Sequence, residues 1–164
     1  MIFSYVLSAL LILIALIINR SLDSFSVMEI KPDVLFIIVV YLAYSFGSFY
    51  GQTAGFIGGL FLDSNSNGPL GLLTFPLVAL GFLVGMFGRS VIRNNFLSVS
   101  LLLFVASLIK GIITLCLCAI FSEARLSLVL KIILPEAVYN ALLAPVLFFL
   151  FDKLYAKELE RERY

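Results

Sequence analysis

The chain has 164 residues, of which 62% are hydrophobic and only 13% are charged, and its mean hydropathy is +1.14. Soluble domains carry about 25% charged residues, so this composition predicts an integral membrane protein. The net charge of +1 provides no basic surface for nucleic acid, and the lack of histidine removes the commonest metal ligand and general base. We therefore expect no nucleic-acid partner, no metal and no cofactor.

The first apolar run, residues 2–18, is long enough to be the first membrane span. It lacks the basic start and the small-residue cleavage site of a signal peptide, so we expect it to stay attached. The next segment, 21–33, mixes charged and apolar residues and is expected to lie along the membrane interface. Its last residues, Lys31-Pro32-Asp33, are typical of the start of a helix.

Residues 34–62 contain no charge at all. One helix from Asp33 to Leu62 would extend about 45 Å, well beyond a hydrocarbon core of roughly 30 Å. The sequence Ser45-Phe46-Gly47-Ser48 favours a turn, which would divide the stretch into a second and a third span.

The second half of the chain predicts three more spans, at 72–88, 96–121 and from Leu134-Pro135-Glu136 to residue 151. The predicted fold is therefore an all-α bundle of six transmembrane helices. We expect one transmembrane domain over 1–152 and a charged cytoplasmic tail over 153–164.

Charge counting favours a different number of spans. Six spans with both termini in the cytoplasm place Arg20 and Lys31 on the outer side. Fusing spans two and three would place both inside, in better agreement with the positive-inside rule. We adopt six spans because of the length argument, and five spans remain the alternative.

Glycine recurs every four residues in the third span, and a shorter motif of the same spacing follows in the fourth. On a helix this spacing places the glycines on one face, where a neighbouring helix can approach closely. That neighbour is either a helix of the same chain or a helix of a partner. The glycines of this predicted packing or partner interface are Gly47, Gly51, Gly55, Gly59, Gly81 and Gly85.

Lys110 lies deep inside the fifth span, where a charge is costly unless it pairs or reaches the interface. We expect it to meet Glu136, Asn140 or Asp33 inside the bundle, as part of a buried polar network that also includes Asp63. Snorkelling along lipid and contact with a partner are the alternatives.

The turn after span three, Asp63-x-Asn65-x-Asn67-Gly68, has the opening pattern of a calcium loop. The twelfth position, where a bidentate glutamate belongs, is Thr74. Helix capping in a polar turn is therefore the preferred interpretation.

No catalytic motif is present, and no serine or cysteine has a histidine to activate it. We therefore predict no catalytic residue. Cys116 and Cys118, two residues apart in an apolar run, point to different sides of a helix and are not expected to form a disulfide.

Several motifs follow one another along the chain. They are Lys31-Pro32-Asp33, then Gly51-x-x-x-Gly55-Phe56-x-x-Gly59-Leu60-x-x-Asp63, then Gly68-Pro69-Leu70-Gly71, then Tyr139-Asn140, and then Ala144-Pro145. In this order and spacing they resemble the motifs of the rod shape-determining protein MreD family. The resemblance covers nearly the whole chain.

This resemblance implies a non-enzymatic protein of the bacterial inner membrane that acts in cell elongation. It implies binding to MreC, and a connection with RodA, its transpeptidase and MreB. It also implies a fold similar to the six-helix substrate-binding subunits of energy-coupling-factor transporters, with both termini inside. The mechanism we expect is a scaffold that packs its glycine stripes against a partner helix within lipid.

A second hypothesis is a transporter subunit that captures a small, vitamin-like molecule in its outer half. It predicts a polar, aromatic-lined cavity with Tyr41, Asp63, Glu136 and Asn140 turned inward. The sequence leaves open whether the chain dimerises or binds a particular lipid.

Overall fold

The computed structural model describes residues 2–23, 31–66, 68–91, 96–121 and 126–155, and these residues form six α-helices and no strand. The all-helical prediction is confirmed. The helices are α1 (Ile2–Asp23), α2 (Val34–Phe46), α3 (Ser48–Asn65), α4 (Thr74–Val91), α5 (Phe96–Phe121) and α6 (Leu126–Leu154).

The central element is α2, whose residues from Leu35 to Ala43 are all buried. A helix that is apolar on every side has no face for water, so it lies inside the bundle. Its N-terminus is capped by the side chain of Asp33, which accepts a hydrogen bond from the N–H of Phe36. Its C-terminus is Gly47, where the chain turns into α3 with a φ of 99°.

The other helices surround α2 as two antiparallel pairs and a single helix. α3 and α4 pack along each other and both contact α2, whereas α5 and α6 form a second closely packed pair. α1 and α6 also contact α2. α4 and α5, which join the two pairs, contact each other over a smaller part of their length.

Two helix boundaries differ from the sequence prediction. α1 continues past residue 18 to Asp23, and α6 begins at Leu126, so that Pro135 lies inside the helix. Helical proline is tolerated when neighbouring helices support the backbone around it, and Ile133 of α6 packs closely against Gly111 of α5. Residues 24–30, 122–125 and 156–164, which include most of the predicted interface segment and most of the tail, lie outside the described residues.

Within the part of the chain that the structure describes, two helical stretches are long and apolar enough to cross a membrane, namely α5 (Phe96–Phe121) and Lys131–Leu154 of α6. Three shorter apolar stretches are Leu7–Asn19 of α1, Val34–Phe46 (α2) and Thr74–Gly88 of α4. Many large apolar side chains face outward, among them Leu97, Leu142 and Phe149, with 83%, 68% and 73% of their surface exposed.

Candidate helix-packing site and buried charge cluster

Three glycines of α3 lie where this helix meets α4. A Cβ atom added to Gly55 would lie 2.7 Å from the backbone oxygen of Leu77, and one added to Gly59 would lie 2.5 Å from the Cα of Thr74. A Cβ atom on Gly51 would lie 2.6 Å from another backbone oxygen of α4. Because side-chain atoms do not come this close to a backbone, only glycine permits the observed helix separation.

The glycines of α4 face back toward the same contact. A Cβ atom on Gly81 would collide with the backbone of Gly51, and one on Gly85 would collide with the backbone of Ser48. The two glycine motifs, predicted separately from the sequence, therefore form the two sides of one close helix crossing.

Gly47 does not belong to a helical stripe, because it lies between α2 and α3 rather than in α3. Its φ of 99° is a conformation that glycine adopts readily and other residues rarely do, so its role is to turn the chain. Its carbonyl carbon still lies against Gly85. Gly58, which the sequence analysis left out, packs against the side chain of Leu35 on α2.

These contacts show that the glycine faces of α3 and α4 pack against each other inside a single chain. α4 fills the groove that the glycines of α3 create, so a partner helix could enter that groove only by displacing α4. Of the two neighbours considered from the sequence, the structure places a helix of the same chain against the stripe.

The Lys110 cluster consists of Lys110, Asp33 and Glu136. The Nζ atom of Lys110 lies 2.5 Å from Asp33 Oδ2 and 2.6 Å from Glu136 Oε1. It also lies 5.0 Å from the centre of the Phe36 ring, within the range of a cation–π contact. The three charged side chains are mostly buried, with 15%, 14% and 22% of their surfaces exposed. Lys110 therefore pairs inside the bundle rather than extending along lipid.

Amides from two further helices hold Asp33 in place. Asn19 of α1 donates to Asp33 Oδ1 over 3.0 Å and accepts from the N–H of Val34 over 3.1 Å. Asn140 of α6 accepts from the N–H of Asp33 over 2.9 Å and donates to Ser107 of α5 over 3.1 Å. The start of α2 is thereby connected to α1, α5 and α6.

The sequence analysis did not identify Asn19 as a member of this network. It directly follows an apolar run, where a polar residue usually marks only the end of a helix. The available signal was the charged helix start at 31–33, which is the next helix start along the chain. A carboxylate buried there needs several hydrogen-bond donors, and the Asn19 side-chain amide is one of them. Among the described residues, every fully buried side-chain nitrogen and oxygen atom has a hydrogen-bond partner.

Asp63, which the sequence analysis placed in the buried polar network, is buried but does not contact the Lys110 cluster in the described hydrogen bonds. Its carboxylate instead accepts hydrogen bonds from the N–H groups of Gly71, Leu73 and Thr74 and from the Thr74 hydroxyl, over distances of 2.5 to 3.1 Å. Asp63 thus caps the start of α4 from the end of α3. This agrees with the capping interpretation of the Asp63–Gly68 motif.

A cluster of aromatic rings encloses the opposite end of α2. The ring of Tyr41 lies 5.1 Å from those of Phe148 and Phe151, and its hydroxyl donates to Asp152 over 3.1 Å. Tyr155 lies 5.1 Å from Phe46. Phe148 and Phe151 of α6 and Tyr155, which directly follows α6, recur at helical spacing, and this spacing was the available signal for a packed face.

The cavity predicted by the transporter hypothesis does not form from its four named residues. Tyr41 points to Asp152, Asp63 caps α4, and only Glu136 and Asn140 lie near each other around the start of α2. Within the described residues, no group of three histidine, cysteine, aspartate or glutamate side chains could hold a metal ion. Cys116 is exposed, Cys118 is buried, and neither forms a disulfide.

The described residues form an all-helical bundle that has two apolar helices of membrane-spanning length, an internal glycine crossing and a buried, paired lysine. These features are typical of a membrane-associated helical protein. The family model described as rod shape-determining protein MreD matches residues 1–158. The chain therefore belongs to the MreD family, a component of rod shape determination and not a known enzyme family. The comparison with curated proteins gave no match, and neither did the comparison with solved structures.

Proposed function

We propose that this protein is a non-enzymatic scaffold of the bacterial cell-elongation machinery, inserted in the cytoplasmic membrane with six spans and both termini inside. In this role it binds MreC by packing against its transmembrane helix and so helps to regulate peptidoglycan synthesis. RodA, its transpeptidase and MreB are indirect partners. The observation that carries the proposal is the family match over residues 1–158.

The polar groups of the bundle support a scaffold. The Lys110 cluster and the Asp63 cap consist of groups that bind each other, and both connect one helix to another. Such interactions stabilise one arrangement of the helices. A protein that positions a partner requires a fixed arrangement of this kind.

The partner helix requires a face that the fold leaves uncovered. The glycine faces of α3 and α4 are already in contact, so we place MreC elsewhere. An apolar groove of about 390 Å³ lies between α4 and α5, lined by side chains that include Leu83, Phe87, Val105 and Ile109. Its lining residues extend over about two turns of each helix, a length suited to van der Waals packing against an apolar helix.

Co-purification with MreC from the same organism, in mild detergent, tests this proposal. Wild-type protein should retain MreC. Val105→Trp and Leu83→Trp fill the groove and should release MreC while leaving a monodisperse protein. Leu142→Trp, at an exposed position of α6 away from the groove, is the matched control and should retain it.

Two results would count against the proposal. Failure of the wild-type protein to retain MreC would contradict MreC binding itself. Retention of MreC by both groove variants would move the contact to another face of the bundle.

A further inference from the structure

The outer face of α3 carries a polar side chain, Gln52, among apolar ones. The inner faces of the helix are covered, because its glycines pack against α4 and Gly58 packs against α2. Phe49, Phe56 and Leu60 share the outer face with Gln52 at helical spacing, and their exposed fractions are 66%, 52% and 39%. The Gln52 side chain is itself partly exposed. An amide therefore lies on a mainly apolar surface.

The packing of α3 against α4 places Gln52 level with the middle of an apolar helix. A Cβ atom on Gly81 would lie 2.9 Å from the backbone nitrogen of Gln52. Gly81 is midway along the apolar stretch Thr74–Gly88 of α4. In the membrane-inserted arrangement proposed above, Gln52 is therefore deep in the hydrocarbon layer, where little water is available to an amide.

The Gln52 side-chain amide has no hydrogen-bond partner within the part of the chain that the structure describes. The neighbouring Thr53 hydroxyl differs, because it donates to the carbonyl oxygens of Phe49 and Tyr50 in its own helix, over 2.9 and 3.1 Å. Amide side chains in membranes form hydrogen bonds between helices. The Gln52 amide is therefore available to a helix outside this chain.

A groove beside this amide provides space for a second helix. Its volume is about 340 Å³, and it is lined by Gln52, Thr53, Phe56 and Ile57 of α3 and by Val78 of α4. It shares no lining residue with the groove between α4 and α5. The two grooves can therefore bind different helices at the same time.

A second copy of the chain, inserted in the same orientation, carries the same amide at the same depth. A two-fold axis that relates two such copies is perpendicular to the membrane, so equivalent residues meet across it. A glutamine amide has both donors and an acceptor, and two of them can form a reciprocal pair of hydrogen bonds.

We propose that the outer face of α3 is the interface of a symmetric dimer of this protein, with the two Gln52 side chains paired across the axis. Phe56, one helical turn away, packs against its equivalent in the second copy. The inference depends on the proposed membrane insertion, but not on MreC binding, and it concerns a different face of the bundle.

Fluorescence energy transfer between donor-labelled and acceptor-labelled full-length chains tests the proposal, in phosphatidylcholine vesicles over a range of protein-to-lipid ratios. Wild-type protein should self-associate. Gln52→Leu should weaken the association by about tenfold, the effect of losing two hydrogen bonds between transmembrane helices. Thr53→Val removes an adjacent hydroxyl that is bonded within its own helix and should have no such effect.

Disulfide crosslinking locates the interface independently, and it applies even if Gln52→Leu is not monodisperse. A Cys116→Ala background removes the exposed native cysteine and leaves the buried Cys118. In this background Phe56→Cys should crosslink two copies in the same vesicles. Leu142→Cys, at an exposed position of α6, is the matched control and should not.

Three results would overturn the proposal. Wild-type protein that stays monomeric at every ratio would exclude the dimer, and loss of MreC from Gln52→Leu would then assign the amide to that partner. Unchanged association of a monodisperse Gln52→Leu would exclude the amide as the contact. Crosslinking through Leu142→Cys in preference to Phe56→Cys would place the interface on another face. None of these results changes the expected retention of MreC by the groove between α4 and α5.

Discussion

The ammonium group of Lys110 lies 2.5 Å from the carboxylate of Asp33, although 77 residues separate them in the sequence. Lys110 is the only charged residue of α5, and Asp33 is the N-cap of the buried helix α2. The contact therefore joins the two halves of the chain at the point where its central helix begins. Glu136 of α6, on the other side of the lysine, extends the same connection to a third helix.

Lys110→Met should lower the free energy of unfolding by about 3 to 5 kcal/mol, the typical cost of removing one partner from a buried ion pair. The methionine would fit the space, but Asp33 and Glu136 would be left as two neighbouring carboxylates without their cation. Thermal unfolding in detergent, followed by size-exclusion chromatography, measures the change. Lys153→Met, at an exposed position of α6, is the control.

Neutralising the two acids should recover part of this loss. Adding Asp33→Asn and Glu136→Gln to Lys110→Met removes the repulsion and keeps groups of similar shape. If the triple variant is no more stable than Lys110→Met alone, uncompensated charge is not the cause of the loss.

Gly55→Ala should destabilise the protein strongly, whereas Gly88→Ala should be tolerated. A Cβ atom at Gly55 would lie 2.7 Å from a backbone oxygen of α4, which cannot move without separating the helices. At Gly88 the nearest atom is a side-chain carbon of Val84 at 3.3 Å, and alanine gains about 1 kcal/mol of helix propensity. Thermal unfolding of the pair in one detergent compares them, and equal midpoints would contradict close packing at Gly55.

Asp63→Asn should cost about 2 kcal/mol, because an amide has one acceptor oxygen where the carboxylate has two. The N–H groups at 71, 73 and 74 would then compete for that oxygen. Asn65→Ala, in the same turn but exposed, is the control. A chemical denaturation series in detergent measures the difference, and an effect at Asn65 as large as that at Asp63 would argue against the capping role.

Tyr41→Phe should cost about 1 kcal/mol through loss of the hydrogen bond to Asp152. Tyr41→Ala should cost about 3 to 5 kcal/mol, since it also empties the space between Phe148 and Phe151. Near-ultraviolet circular dichroism during thermal unfolding reports on these rings. Equal losses in the two variants would mean that the aromatic contacts contribute little.

The sequence was enough to predict that the glycines share one face, because residues four positions apart lie on the same side of a helix. The identity of the neighbour could not, since any helix with a smooth surface can lie against glycine. The turn at Gly47 was also foreseen, but its exclusion from the stripe was not. That exclusion depends on the φ of 99°, which the sequence does not specify.

The partners of Lys110 were predictable because few acids lie in or beside the apolar segments. Asp63 was placed in the same predicted network because it too borders an apolar segment of the sequence. Asp63 differs from the partners of Lys110 because the loop that follows it supplies three N–H groups that donate hydrogen bonds to its carboxylate. Pro135 was taken as a helix boundary, and the packing of α6 against α5 overrides that local preference.

Because α2 is enclosed by the other helices, the bundle cannot be completed until the last of them has been synthesised. Two partners of Asp33 and Lys110, namely Asn140 and Glu136, belong to α6, the last of the six described helices to leave the ribosome. Until then the bundle contains a lysine and an aspartate with an incomplete set of neighbours. A polypeptide cut short before α6 would keep this defect, which gives membrane proteases a physical means of distinguishing unfinished chains from finished ones.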